Sequence, residues 1–182
     1  MNKTTRWITM TALLLALCVL FQSLRTLIPG LATMPLVNQL IIGSLVNLTL
    51  IIAAWAVGFW SGAAVSVLAA VISYFQGHIP IIHLVPLIAA GNIVIVAVVW
   101  FFRSHIPAAG IIIGAAAKAA FLWLGIVKIL LPIASKNALL KGPAIEKLSL
   151  MFSWPQLITA LTGGLLALII WSRIKLVAKK DE

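Results

Sequence analysis

Between Thr26 and Phe102 the chain carries no Asp, Glu, Lys or Arg. A run of that length cannot cover a water-facing surface. One bilayer-spanning helix needs about 20 mostly apolar residues, so the run alone has room for three such helices joined by short turns. The rest of the chain agrees. Of its 182 residues, 63% are hydrophobic and 9% are charged, where a soluble domain carries about 25% charged residues. The expectation is an all-α membrane protein, a single domain over 1–182, with six transmembrane helices in one compact bundle.

Proline, glycine and charge place the boundaries. The expected spans are about 7–28, 36–57, 61–75, 84–102, 108–131 and 150–174. Pro29-Gly30 stops the first, and Pro35 keeps the next residues irregular. Gly58 and Trp60-Ser61-Gly62 mark the second turn. The third span is short for a crossing, which predicts tilt or cover by protein. Gly77, Pro80 and Pro86 mark the connection to span four. Arg103, His105 and Pro107 form a basic turn, and Pro132 is expected to end span five. Residues 133–149 hold Lys136, Asn137, Lys141, Glu146 and Lys147 and read as the most polar interior loop. Pro155 falls in the first turns of span six, where proline is tolerated. The N-terminus has a signal-peptide look, Lys3 and Arg6 before an apolar run. That run, Trp7 to Ile28, is long for a signal core, so it reads as a retained span.

The formal net charge of +10 comes from 13 basic and 3 acidic residues. The bases cluster at the chain ends and turns, not on one face with interleaved aromatics, which argues against nucleic-acid binding. With six spans, Lys3, Arg6, Arg103, Arg173, Lys175, Lys179 and Lys180 share one side. Lys136, Lys141 and Lys147 share the other, offset by Glu146, with Arg25 and Lys128 near its boundary. The positive-inside rule then puts both termini in the cytoplasm. Localisation in the plasma membrane, as a multi-pass protein, is the matching expectation.

Chemistry-bearing groups are sparse. The only acids are Glu146, Asp181 and Glu182, none in an expected span. Paired-carboxylate catalysis and carboxylate metal sites inside the membrane are excluded on that ground, and an ionisable proton relay is weakened. His78 and His83 straddle a proline and do not share a helix face. No Gly-rich phosphate loop is present. Cys18, the single cysteine, sits in an apolar run and reads as packing. The chain is therefore not read as an enzyme: no catalytic residue, metal site or cofactor is expected.

Two patterns stand out. Ala12 and Ala16 are four residues apart, on one helix face, as are Gly163 and Ala167; small-xxx-small pairs allow close helix approach. Lys118 lies about ten residues from either end of its span. It cannot easily snorkel, and no acid in the spans can pair with it. Either a ligand carboxylate or phosphate is its partner, or it is a neutral or carbonyl-bonded lysine lining a water-filled cavity. On a regular helix wheel Lys128 falls within about 80° of Lys118, so the two could line one cleft.

The opening Thr9-Met10-Thr11-Ala12-Leu13-Leu14-Leu15-Ala16-Leu17, after a short basic end, resembles the first helix of the substrate-binding S components of energy-coupling factor (ECF) transporters. The size, the six-span layout, the Gly-rich second turn and Pro86-Leu87-Ile88-Ala89-Ala90-Gly91-Asn92 fit the same family. The resemblance covers the chain in layout; its motif-level content is Ala12/Ala16 and Gly91-Asn92. It implies a vitamin or micronutrient captured at the outer face, and docking of Ala12 and Ala16 on a transmembrane coupling protein driven by two ATPase subunits. The ligand site would lie in the outer half. Polar candidates there are Arg25, Gln39, Gln76, His83, Lys128, Trp154 and Gln156, with Asn92 and Lys118 deeper. The excess of buried bases over acids favours an anionic ligand. Two other classes are also open: a scaffold protein of envelope or cell-shape assembly, which needs no ligand cavity, and a small secondary carrier or channel, which should show an internal repeat or a through-path; the sequence shows no repeat.

Overall fold

A computed structural model describes residues 2–28, 30 and 33–180, with side chains through residue 174. The Pro29 stop and the acidic end Asp181-Glu182 lie outside the described residues, as do the side chains of Lys175, Lys179 and Lys180. Among the described residues all regular structure is helical. Helix α1 is Lys3–Leu27, α2 Pro35–Ala56, α3 Phe59–Phe75, α4 Leu84–Phe102 and α5 Pro107–Leu122. A π-helical segment, Trp123–Leu130, continues α5 into α6, Leu131–Lys136; α7 is Gly142–Met151 and α8 Trp154–Lys180.

Five helical stretches are long and apolar enough to cross a bilayer, and α3, with 17 residues, is the shorter apolar helix. Their outward faces are apolar: Leu13, Leu20, Ile112, Leu165 and Ile169 are all more than half exposed. Exposed apolar surface on this scale suits a lipid environment, and the helix set is compatible with a multi-pass membrane protein.

Two expected boundaries change. Pro132 does not end the fifth span; the helical stretch runs from Pro107 to Lys136. A proline inside a helix lacks an amide donor and its ring collides with the carbonyl one turn earlier. The i→i+5 turns of the π segment lie just ahead of Pro132 and carry the chain past it with wider spacing. The polar stretch 133–149 is also not one loop. Its second half is α7, started by Gly142-Pro143, with Leu148 turned inward and buried.

The ends of α3 and α6 close the same way. Gly77, at φ 73°, lets its own N–H reach Tyr74 O at 2.9 Å while His78 N–H reaches Ser73 O at 3.0 Å. After α6 the same pair of bonds runs from Ala138 to Ser135 O and from Leu139 to Ala134 O, with Ala138 held at φ 53°. Both are Schellman ends, which want a left-handed residue at that position; the second uses an alanine where glycine is favoured.

Helix α2 is the centre of the bundle and touches α1, α3, α4 and α8. The α2–α8 seam is closest: a Cβ built on Gly163 would meet Ser44 O, Asn47 Cβ and Leu48 N. Gly163 and Ala167, the latter fully buried, therefore serve packing inside the bundle. Ala12 and Ala16 are exposed on the outer face of α1. One apolar cluster, built on Leu50, Ile51, Val65, Ile95, Val99 and Ile111, fills one part of the bundle. Trp55 closes it by donating its Nε1–H to Val99 O at 2.9 Å. A second cluster, with Leu84, Leu122, Ile126, Leu148 and Phe152, lies where α4, α5, the π segment and α7 converge.

Candidate functional site

A cavity of about 410 Å³ lies between α1, α2, α3, α4, α5 and the α7–α8 junction. Its apolar wall comes from Ile42, Val46, Leu84, Leu122 and Phe152. Into it project buried polar groups, each brought in by a different helix. Such a volume and such a lining match small-molecule sites, which are mostly apolar with a few placed polar groups.

Lys118 is 3% exposed and donates from Nζ to Asn47 Oδ1 at 2.6 Å. Asn47 is held in turn: its Nδ2 donates to Gly43 O at 2.8 Å and toward Thr159 Oγ1 at 3.4 Å. The donation to a carbonyl fixes which end of the amide is oxygen, so Oδ1 faces the lysine as an acceptor. Thr159 donates to Gln156 O at 3.1 Å, and Gln156 Nε2 donates to Met151 O at 3.0 Å. One polar chain thus links Lys118 to the α7–α8 junction. Of the readings open for Lys118, the structure shows the carbonyl-bonded one, with the Asn47 side chain as acceptor.

At the end where α1 and α3 finish, Arg25 donates from Nε to Asn38 Oδ1 at 3.2 Å. Gln22, one turn earlier on α1, donates from Nε2 to Ala69 O at 3.2 Å, and its Oε1 is buried with no partner among the described residues. His78, set by the Schellman end of α3, also lines the cavity and has a buried, unpartnered Nε2. Burial and the nearby Arg25 charge push the His78 pKa down to about 4. Arg25, Lys118 and Lys147 give the lining positive charge, and no Asp or Glu stands among the described lining residues. The arrangement offers donors, acceptors and positive charge in an apolar enclosure, which is the chemistry of recognition.

Of the expected ligand-binding residues, the cavity gathers Lys118, Asn92, Arg25, Gln39 and Gln156. Gln76 stands beside the site and donates to Ser23 Oγ at 3.1 Å. The structure places His83, Lys128 and Trp154 elsewhere, all exposed. Lys128 lies 4.7 Å over the Trp123 ring. The regular-wheel argument for sharing a cleft with Lys118 fails because the π segment between them changes the angular step. Residues not singled out from sequence are Gln22 and Asn47. Gln22 sits three positions before Arg25, a helical-face spacing that could have drawn attention to it. Asn47 is an amide deep in an apolar helix, the same signal that picked out Asn92.

No family model, curated protein or solved structure matches the chain.

Proposed function

We propose that the chain is the substrate-capture subunit of an ECF-type micronutrient importer. In this reading six helices, α3 included, span the plasma membrane, and both termini are cytoplasmic. The cavity then faces outward and takes a small nutrient. Ala12 and Ala16 dock on a transmembrane coupling protein, which two separate ATPases drive.

The observation that carries the reading is the cavity itself. A bundle serving only as a scaffold has no reason to bring Gln22, Asn47, Asn92 and Lys118, all buried, to one apolar enclosure where each unpaired polar group destabilises the fold. The exposed Ala12/Ala16 face is a second support, since close helix approach needs small residues presented outward. The excess of Lys and Arg on the side that holds the termini supports the orientation.

The test is co-purification of the tagged chain from its own cells, with Ala12→Leu and Ala16→Leu in parallel. The expected result is a coupling protein and ATPases with the wild type and their loss with the double variant, which should keep its thermal stability because both positions face outward. Capture of no such partners by the wild type would overturn the importer reading.

A further inference from the structure

Several groups in the cavity have hydrogen-bonding capacity that the protein does not use. Lys118 gives one N–H to Asn47, while an ammonium has three. Asn92 is 5% exposed and makes no side-chain hydrogen bond among the described residues. It sits level with Lys118: a Cβ on Gly91 would meet the Leu122 side chain, one turn along α5. Gln22 is 7% exposed, and with its Nε2 committed to Ala69 O, its Oε1 can only accept.

These groups form two levels. Lys118 is tied to Asn47 and Arg25 to Asn38, and nine residues of α2 separate those asparagines, about 13 Å of helical rise. The deep level presents Lys118 and Asn92. The upper level presents Gln22 Oε1, with Arg25 and His78 beside it. Both levels carry a basic side chain; what the upper level adds is a buried acceptor with no partner among the described residues.

We infer that the ligand is a bipolar small molecule with an oxyanion, carboxylate or phosphate, on Lys118 and Asn92, and an N–H or O–H donor on Gln22 Oε1. This rests on the capture reading above and names its substrate class. A cationic ligand would face Arg25, Lys118 and Lys147 with no carboxylate in the described lining to balance it. A ligand without an acceptor at the deep level would leave the remaining Lys118 N–H groups unmet in an apolar enclosure. The upper level presents an unmet acceptor, Gln22 Oε1, which a ligand N–H or O–H satisfies.

The test uses the purified full chain in lipid nanodiscs. Small molecules are extracted from wild type, Lys118→Met, Gln22→Leu and, as a control away from the cavity, Lys136→Met, and identified by mass spectrometry. The expected compound carries an oxyanion and a donor group, is retained by Lys136→Met, and falls about tenfold to a hundredfold in occupancy in Lys118→Met, the loss of one charged hydrogen bond. Gln22→Leu should lose occupancy too while keeping the oxyanion requirement, and serves if Lys118→Met does not fold. A neutral or cationic compound at one per chain would overturn the bipolar assignment and leave the capture reading standing. If nothing co-purifies, acetate and inorganic phosphate become the probes, against chloride at equal ionic strength. A rise in Tm with either, absent in Lys118→Met or, if that variant does not fold, carried by the oxyanion in Gln22→Leu as in wild type, supports the assignment; no anion-specific rise overturns it. Failure of the capture reading is read separately, from the absence of a coupling protein and ATPases in the pull-down.

Discussion

Replacing Gly163 with alanine probes the seam that holds the cavity together. The new Cβ would meet Ser44 O and would stand 2.7 Å from Asn47 Cβ and 2.8 Å from Leu48 N. Ordinary carbon contacts lie near 3.5 Å, so the neighbours must retreat by about 0.8 Å. Two of the atoms met are backbone and the third is a Cβ, so no side-chain rotation relieves the clash. Helices α2 and α8 must part along their seam, and a gap of 0.5–1 Å already forfeits about a quarter to a half of each contact's attraction. The expected loss is about 3 kcal/mol, the upper end for overpacking a close-packed site. The comparison is Gly91→Ala. There the atoms met are Cγ, Cδ1 and Cδ2 of Leu122, a flexible side chain beside the cavity, and about 1 kcal/mol is expected. Denaturant or thermal unfolding of the two variants in the same detergent gives the difference. Equal stabilities, or a Gly163→Ala variant as stable as wild type, would refute the claim that backbone contact at this seam sets the cost.

Further outcomes follow from the same geometry. Ala138→Gly should stabilise the chain by about 1 kcal/mol, because φ 53° strains any residue with a Cβ; unfolding measurements that show a loss would contradict the Schellman assignment. Trp55→Phe should cost about 1–2 kcal/mol, since Val99 O loses its buried donor, and the same unfolding assay reads it. For His78 the folded pKa of about 4 lies below the ordinary 6.5. The unfolded chain therefore binds more protons between these values, and the fold is most stable above pH 6.5 and loses stability as the pH falls toward 4. Tm measured across that window should drop on acidification, and His78→Gln should flatten the slope; an unchanged slope would assign the effect to other groups.

The expected spans needed only two kinds of change, and both came from non-local causes. Apolar runs and Gly/Pro breaks act within a few residues, so the bounds of α2, α3 and α4 could be read directly. Passage of the helix beyond Pro132 depends on the π segment before it, and α7 exists in a polar stretch because Leu148 finds a place in the second apolar cluster. The site divides similarly. Lys118 and Asn92 announce themselves because a charge or an amide deep in an apolar helix must find a partner. Gln22 and Asn47 join them only through the packing of α1 and α2.

Sequence alone determined that the chain is helical with spans apolar enough to cross a bilayer, since a run without charge from Thr26 to Phe102 leaves few options. It also marked Lys118 as a charge without an acid. The tertiary structure decided which small-residue pair packs inside: Gly163 lies against the α2 backbone, while Ala12 and Ala16 face outward. It decided that Lys128 leaves the cleft for the Trp123 ring, and that Asn47 meets Lys118. The physical reason is that burial in a bilayer is a property of composition over about 20 residues, whereas which side chains share one cavity depends on helix phase and crossing, and a single wide turn is enough to change it.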